Sequence, residues 1–183
     1  MRKSFLVVFF LAAVLSLQAQ PPYRHSVGGI GCTMWGFSYK TFWAEKVAFS
    51  ADVGLQIMCT GGEDWSNVTV SSVVLNPNLM YEGQFNPHWY VFVGGGVSIG
   101  YNWWFSYLGT LEDYARGYKY DAKRGIAKGG KLGANVIAGL EYIFKIPLAV
   151  QLDFRPGYGV FIKDNVRWHH FDWNLCLGIR YTF

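Results

Sequence analysis

Residues 171–183 read F-D-W-N-L-C-L-G-I-R-Y-T-F. The odd positions are large and apolar: Phe171, Trp173, Leu175, Leu177, Ile179, Tyr181 and Phe183. The even positions are small or polar: Asp172, Asn174, Cys176, Gly178, Arg180 and Thr182. Successive side chains of an extended chain point to opposite sides, so a strict period of two predicts a β-strand with two unlike faces. On the apolar face, aromatics stand at both ends and aliphatics between them. A bilayer asks for that order, with aromatic girdles at its two interfaces and hydrocarbon at its centre. The stretch predicts the closing strand of a transmembrane β-barrel.

The rest of the composition agrees. The chain has 183 residues, of which 51% are hydrophobic. Its one long apolar run, Phe5 to Leu15, is too short to cross a membrane as a helix. The remaining apolar residues are therefore dispersed by alternation. Aromatics number 34, and 31 of them lie beyond residue 20. The net charge is +4 for the whole chain and +2 without residues 1–20, too little to suggest a nucleic-acid partner. The three cysteines, Cys32, Cys59 and Cys176, follow no metal or redox spacing. One disulfide among them is compatible with an oxidising compartment, and the sequence does not say which pair.

Arg2 and Lys3, the apolar run and S-L-Q-A-Q make a secretory signal peptide over residues 1–19, cleaved after Ala19. Residues 20–183 then form a single barrel domain.

Alternation predicts eight strands. They lie near 24–32, 37–43, 47–57, 69–83, 89–103, 134–144, 148–162 and 171–183. Pro77 lacks a ladder donor and predicts a bulge. T-M-W-G at 33–36, A-E-K at 44–46, N-P at 86–87 and K-I-P at 145–147 read as turns. Residues 61–68, 104–130 and 163–170 read as longer loops, with 104–130 the longest. Small barrels carry short periplasmic turns and longer extracellular loops, which puts both termini in the periplasm. The expected fold is all-β: an eight-stranded antiparallel up-and-down transmembrane β-barrel.

Several short motifs carry a resemblance. They are G-F-S-Y-K at 36–40, Y-E at 81–82, G-L-E-Y at 139–142, L-D-F-R-P at 152–156 and G-I-R-Y-T-F at 178–183. Together they resemble small outer-membrane β-barrel proteins of the Bacteroidota. The resemblance implies a barrel of the OmpA/OmpX size class in the outer membrane of a Gram-negative cell. It also implies insertion by the outer-membrane assembly machinery, with Tyr181 and Phe183 as the C-terminal assembly signal. It brings no catalytic residues.

Alternation assigns seven charged residues to the inner face: Lys40, Asp52, Glu82, Glu141, Asp153, Arg155 and Arg180. An eight-stranded barrel is just wide enough for side chains to fill it, and buried charges need partners. The set is expected to be a structural salt-bridge network, with a lumen site for a small polar ligand as the alternative. Glu141 and Asp153 are the residue types of acid–base catalysis, but Arg155 and Arg180 beside them favour ionised, structural carboxylates. His25-Ser26 offers two members of a hydrolytic triad without an acid at a suitable spacing. A lipid A-modifying enzyme is therefore kept as an alternative function. His169-His170, near Asp164 and Asp172, offers metal-ligand types in what reads as a solvated loop.

G-I-A-K-G-G-K-L at 125–132 has Leu132 where a phosphate loop needs Ser or Thr, and is rejected. Gly94-Gly95-Gly96 is expected to let an aromatic or arginine side chain pack closely inside the barrel. No catalytic residue, metal ligand or cofactor is assigned. The expected role is structural or surface-interacting, through the extracellular loops. Loop 104–130, with five positive and three negative side chains, would meet lipopolysaccharide or another surface or membrane protein.

Overall fold

The computed structural model describes residues 21–60, 68–106, 110–113, 118–121, 128–163 and 166–183. The signal peptide expected over 1–19 lies outside these residues, as does the loop expected at 61–68 except for Val68, which opens a strand. Ten strands run in chain order: β1 (His25–Cys32), β2 (Met34–Ala44), β3 (Val47–Thr60), β4 (Val68–Asn86), β5 (Trp89–Ser106), β6 (Thr110–Asp113), β7 (Tyr118–Asp121), β8 (Gly129–Ile143), β9 (Leu148–Lys163) and β10 (Val166–Thr182). Eight of them close a barrel in the order β1-β10-β9-β8-β5-β4-β3-β2, every neighbour antiparallel. Closure leaves no free edge along the shared ladders, so the backbone donors and acceptors there are satisfied within the wall. Phe183 and His25 exchange backbone hydrogen bonds of 2.9 Å, which brings both chain ends to one rim.

The wall has the two faces that alternation predicts. Along β10 every even residue from Asp172 to Thr182 is buried and every odd one from Phe171 to Phe183 is exposed. The outward rows are apolar on every barrel strand, with Ile99, Val136, Leu152 and Ile179 each about half exposed. Aromatics gather towards both rims. Trp43 stacks on Phe49, Tyr142 meets Trp89 and Phe144 edge-on, and Tyr181 stacks on Phe183 at the terminal rim. Trp35, Tyr101, Tyr158, Phe171 and Trp173 stand exposed nearer the other rim.

Four expectations change. The T-M-W-G turn is tighter than expected: β1 and β2 pair as a hairpin centred on Thr33, which alone separates them, and Met34–Gly36 already belong to β2. Gly36 serves a close approach instead, because a Cβ there would stand 2.1 Å from the Val53 carbonyl oxygen. Pro77 makes no bulge. It pairs with Ala51 on β3, and on the β5 side the register is the same before it (Leu75 with Ile99) and after it (Asn78 with Gly96). The missing N–H removes ladder pairing without adding a residue. The register shifts of β4 and β5 lie at Ser71/Ser72 and Gln84/Asn86.

Of the loop expected at 163–170, Lys163 and Val166–His170 are strand, since Val166 to His170 pair with β9 from Lys163 to Gly159. Arg167 and His169 take the odd positions that are apolar from Phe171 to Phe183, so the apolar alternation stops while the hydrogen-bond ladder continues. The long connection 104–130 is also shorter than expected. Trp104–Ser106 extend β5, Gly129–Gly130 open β8, and β6 pairs with β7 as a separate two-stranded sheet.

Strand length divides the wall. β1 has 8 residues and β2 has 11, whereas β4, β5, β9 and β10 have 16 to 19. The barrel is low along β1 and β2 and tall elsewhere.

Candidate functional site

The seven charged residues come together in the lumen from six of the eight barrel strands: Lys40 on β2, Asp52 on β3, Glu82 on β4, Glu141 on β8, Asp153 and Arg155 on β9, and Arg180 on β10. None is more than 1% exposed. Each sits at an inward position of its strand, and the closed ladder brings Asp52 and Arg180, 128 positions apart, within 3.9 Å.

Towards the terminal rim, Lys40 Nζ lies 2.5 Å from Glu82 Oε2 and 3.1 Å from Glu141 Oε2. It also stands 5.2 to 5.6 Å from the ring centroids of Tyr23, Phe42 and Phe92, an aromatic cage whose π-faces favour a cation. The Glu82 contact is a close charge contact away from hydrogen-bonding directions, since neither Glu82 oxygen has an aligned donor. The Tyr23 hydroxyl donates to Glu141 Oε2 at 2.7 Å. Tyr23 precedes the first strand. Burial, then the Glu141 charge, pushes its phenol well above the ordinary value, so it remains a proton donor. The cage rings Tyr23, Phe42 and Phe92 belong to one apolar cluster with Met80, Tyr90, Ile137 and Ile143.

Arg180 joins this group to the next. Its guanidinium stands 3.8 Å from Glu141 Oε1 and 3.9 Å from Asp52 Oδ1. It donates to Gln151 Oε1, and to Ser38 Oγ at 2.7 Å. Arg155 pairs with Asp52 Oδ2 at 2.5 Å and with Asp153. Ser38 donates to Asp52, and Asn78 Nδ2 reaches the same carboxylate at 3.4 Å. All seven charges thus belong to one connected network. Three cations face four anions, and each anion touches at least one cation. Glu141 and Asp153 do not form the carboxylate pair that their strand positions suggested. Glu82 and Glu141 share Lys40, and Asp52 and Asp153 share Arg155.

A second network escaped the sequence reading. Lys131 on β8 pairs with Asp172 on β10 and donates to Gln56 Oε1 at 2.8 Å. Gln56 Nε2 donates to Asn174 Oδ1 at 2.9 Å. Lys131 was missed because it falls between the loop read at 104–130 and the strand read from residue 134, in the Gly-rich run 125–132. The signal was present in Asp172 and Asn174, on the even face of the opening stretch. Between the two networks, Ile30, Met34, Val74 and Cys176 form a small apolar cluster.

The other candidate groups are separated by the same alternation. Ser26 is buried, whereas the neighbouring His25 ring meets Tyr39 Oη and Thr41 Oγ1 at 3.0 Å and stacks on Phe183 outside. Adjacent strand residues face opposite ways, so these two make no nucleophile–base pair. His169 stacks on Tyr158. Among the described residues no three His, Cys, Asp or Glu side chains form a metal-binding group. The glycine run 94–96 meets backbone rather than an aromatic or arginine side chain. A Cβ at Gly94 would lie 2.1 Å from the Leu79 carbonyl oxygen, and one at Gly96 would lie 2.3 Å from that of Pro77. The close aromatic contact is at Gly139, where a Cβ would stand 2.5 Å from Phe92 Cζ.

Comparison with known proteins gives a fold and no family. No family model and no curated protein matches the chain. Among solved structures, it is similar to the N-terminal β-barrel domain of Pseudomonas aeruginosa OprF. The TM-score is 0.54 at 15% identity, covering 91% of this chain and all of that one. The shared feature is the small, closed, eight-stranded antiparallel barrel.

Proposed function

We propose that the chain is an integral outer-membrane β-barrel whose lumen is closed by its ion network, and that its role is structural or surface-interacting. The carrying observation is inverted polarity. The interior buries Arg155, Arg180 and Lys40, while Leu175, Leu177, Ile179, Val97 and Ile99 face outwards. Water outside would penalise that arrangement, and hydrocarbon outside would favour it. The aromatic rows at both rims fit the two interfaces of a bilayer. The likeness to the OprF barrel supports the same reading at the level of fold.

In this reading the rim holding the chain ends and the short links at 45–46, 87–88 and 144–147 is periplasmic. The tall rim is extracellular and meets lipopolysaccharide or a surface partner. Residues 1–19 act as the signal peptide, and Tyr181 and Phe183 engage the assembly machinery. A filled lumen supports a structural plug rather than a conduit.

Two measurements test this. In detergent, unheated protein should migrate differently from boiled protein, because a closed barrel resists unfolding by the detergent. On whole cells, protease should cut only within 107–127 and around 164–165. Uniform digestion, or recovery in the soluble fraction, would overturn the reading.

A further inference from the structure

We propose that Cys32 and Cys176 are a disulfide site that latches the closing seam of the barrel. The proposal rests on the export assigned above, because such bonds persist in oxidising compartments.

The ladder selects the pair. Cys32 on β1 stands directly opposite Cys176 on β10, whereas Cys59 on β3 stands opposite Thr69. Facing residues of antiparallel strands have Cα atoms about 4.5–5.5 Å apart. A disulfide needs about 4.4–6.8 Å.

The position gives the bond something to do. β1 and β10 join the two ends of the chain, and their ladder has only seven rungs, against sixteen between β9 and β10. Cys32–Cys176 is the last rung. Just beyond it, Thr33 clasps β10. Its N–H donates to the Leu175 carbonyl at 3.2 Å, and its Oγ1 accepts from the Leu175 N–H at 3.0 Å. Past that clasp β10 continues to Val166 without β1 beside it. A covalent rung there ties the low wall to the tall one where fraying would begin.

Both thiols are free in this structure, Cys32 exposed and Cys176 fully buried. Cys32 breaks the alternation of β1, whose inward residues Ser26 and Ile30 are buried, and it does so at a φ of 91°. That backbone region is unfavourable for a residue with a Cβ. Return to the extended region restores the alternation and turns the thiol to the face of Cys176. The exposed Cys32 is the group that an external oxidant reaches. Its thiolate attacks a disulfide of a thiol oxidoreductase or of oxidised glutathione. That S–S bond breaks, a mixed disulfide forms and one thiol leaves. The Cys176 thiolate then attacks the Cys32 sulfur and releases the second thiol. The two cysteine protons end on the two released thiols.

The full chain, refolded from urea into detergent micelles with oxidised glutathione, tests the pairing. Thiols are alkylated in denaturant and the peptides mapped by mass spectrometry. The expected result is one alkylated cysteine, Cys59, and a linked peptide pair containing Cys32 and Cys176, two hydrogens lighter than the free peptides. Cys59→Ala keeps the linkage, and Cys32→Ala and Cys176→Ala each abolish it. Folding of every variant is checked by the migration difference between unheated and boiled samples. Boiled without reductant, the linked chain runs faster than the reduced one. Three alkylated thiols in folded protein, or a linkage through Cys59, overturn the proposal. The same mapping on protein from cell envelopes separates the two readings. Linkage in micelles with three free thiols in cells overturns the exported location and supports the pairing.

Discussion

The inner and outer faces of β10 obey different rules, although they alternate residue by residue along one strand. The outer face is a row of interchangeable apolar groups, Leu175, Leu177 and Ile179, between aromatic ends. The inner face carries Asp172, Asn174 and Arg180, each bonded to a named partner on another strand. The surroundings explain the contrast. Hydrocarbon rewards any apolar surface and has no directional preference. A narrow, water-poor lumen leaves an unpaired charge with no substitute for its lost hydration, so it demands specific geometry. The outer face should therefore tolerate changes of shape and reject charge, and the inner face should tolerate neutral replacement of a whole group and reject loss of one member.

The largest effect is expected inside. Lys40→Met strands Glu82 and Glu141 in the aromatic cage and should cost about 3–5 kcal/mol. The triple variant Lys40→Met, Glu82→Gln, Glu141→Gln should recover most of that loss in urea unfolding from lipid vesicles. A single variant as stable as the parent would break the contrast at its strongest point. Next comes charge on the outer face. Leu177→Arg, near the middle of the apolar belt, should cost about 2–4 kcal/mol, and arginine at Phe183 on the rim about 0–1 kcal/mol. Equal costs at the two depths would argue against a bilayer around this belt.

Backbone approach is a third, intermediate case. Gly96→Ala drives a Cβ towards the Pro77 carbonyl oxygen and the Asn78 side chain, each 2.3 Å away. It should cost about 1–3 kcal/mol, as overpacking does, read from the urea midpoint. A neutral result would mean that β4 and β5 separate easily there. The smallest effect is expected for a change of outer shape alone. Leu175→Ile should stay within about 0.5 kcal/mol, and a larger loss would show that the outer face is packed against something more specific than lipid.

Legibility in the sequence follows the same divide. The outer face was readable because a period of two in apolar residues is a local signal, visible within any ten residues. It located the barrel strands and assigned Lys40, Asp52, Glu82, Glu141, Asp153, Arg155 and Arg180 to the inner face. The signal failed where the apolar belt ends. Arg167 and His169 stand at odd positions of β10 and Gly129–Gly130 carry no side chain, so the apolar alternation stops while the strands continue, and Lys131, between the loop read at 104–130 and the strand read from residue 134, was assigned to no face. Gly36 and Pro77 were misjudged for a related reason. Both are usual markers of interruption, yet in a long ladder one is a point of close strand approach and the other only a missing donor.

By itself the sequence determined the architecture: strands of alternating character, their number, and an apolar exterior around a charged interior. Alternation is a property of each strand alone, set by the geometry of an extended chain. Only the tertiary structure decided who meets whom. Glu82 and Glu141 on Lys40, Asp52 and Asp153 on Arg155, Lys131 on Asp172 and Cys32 opposite Cys176 all depend on the stagger with which eight strands close. That stagger is a property of the whole ring and is written in no single strand.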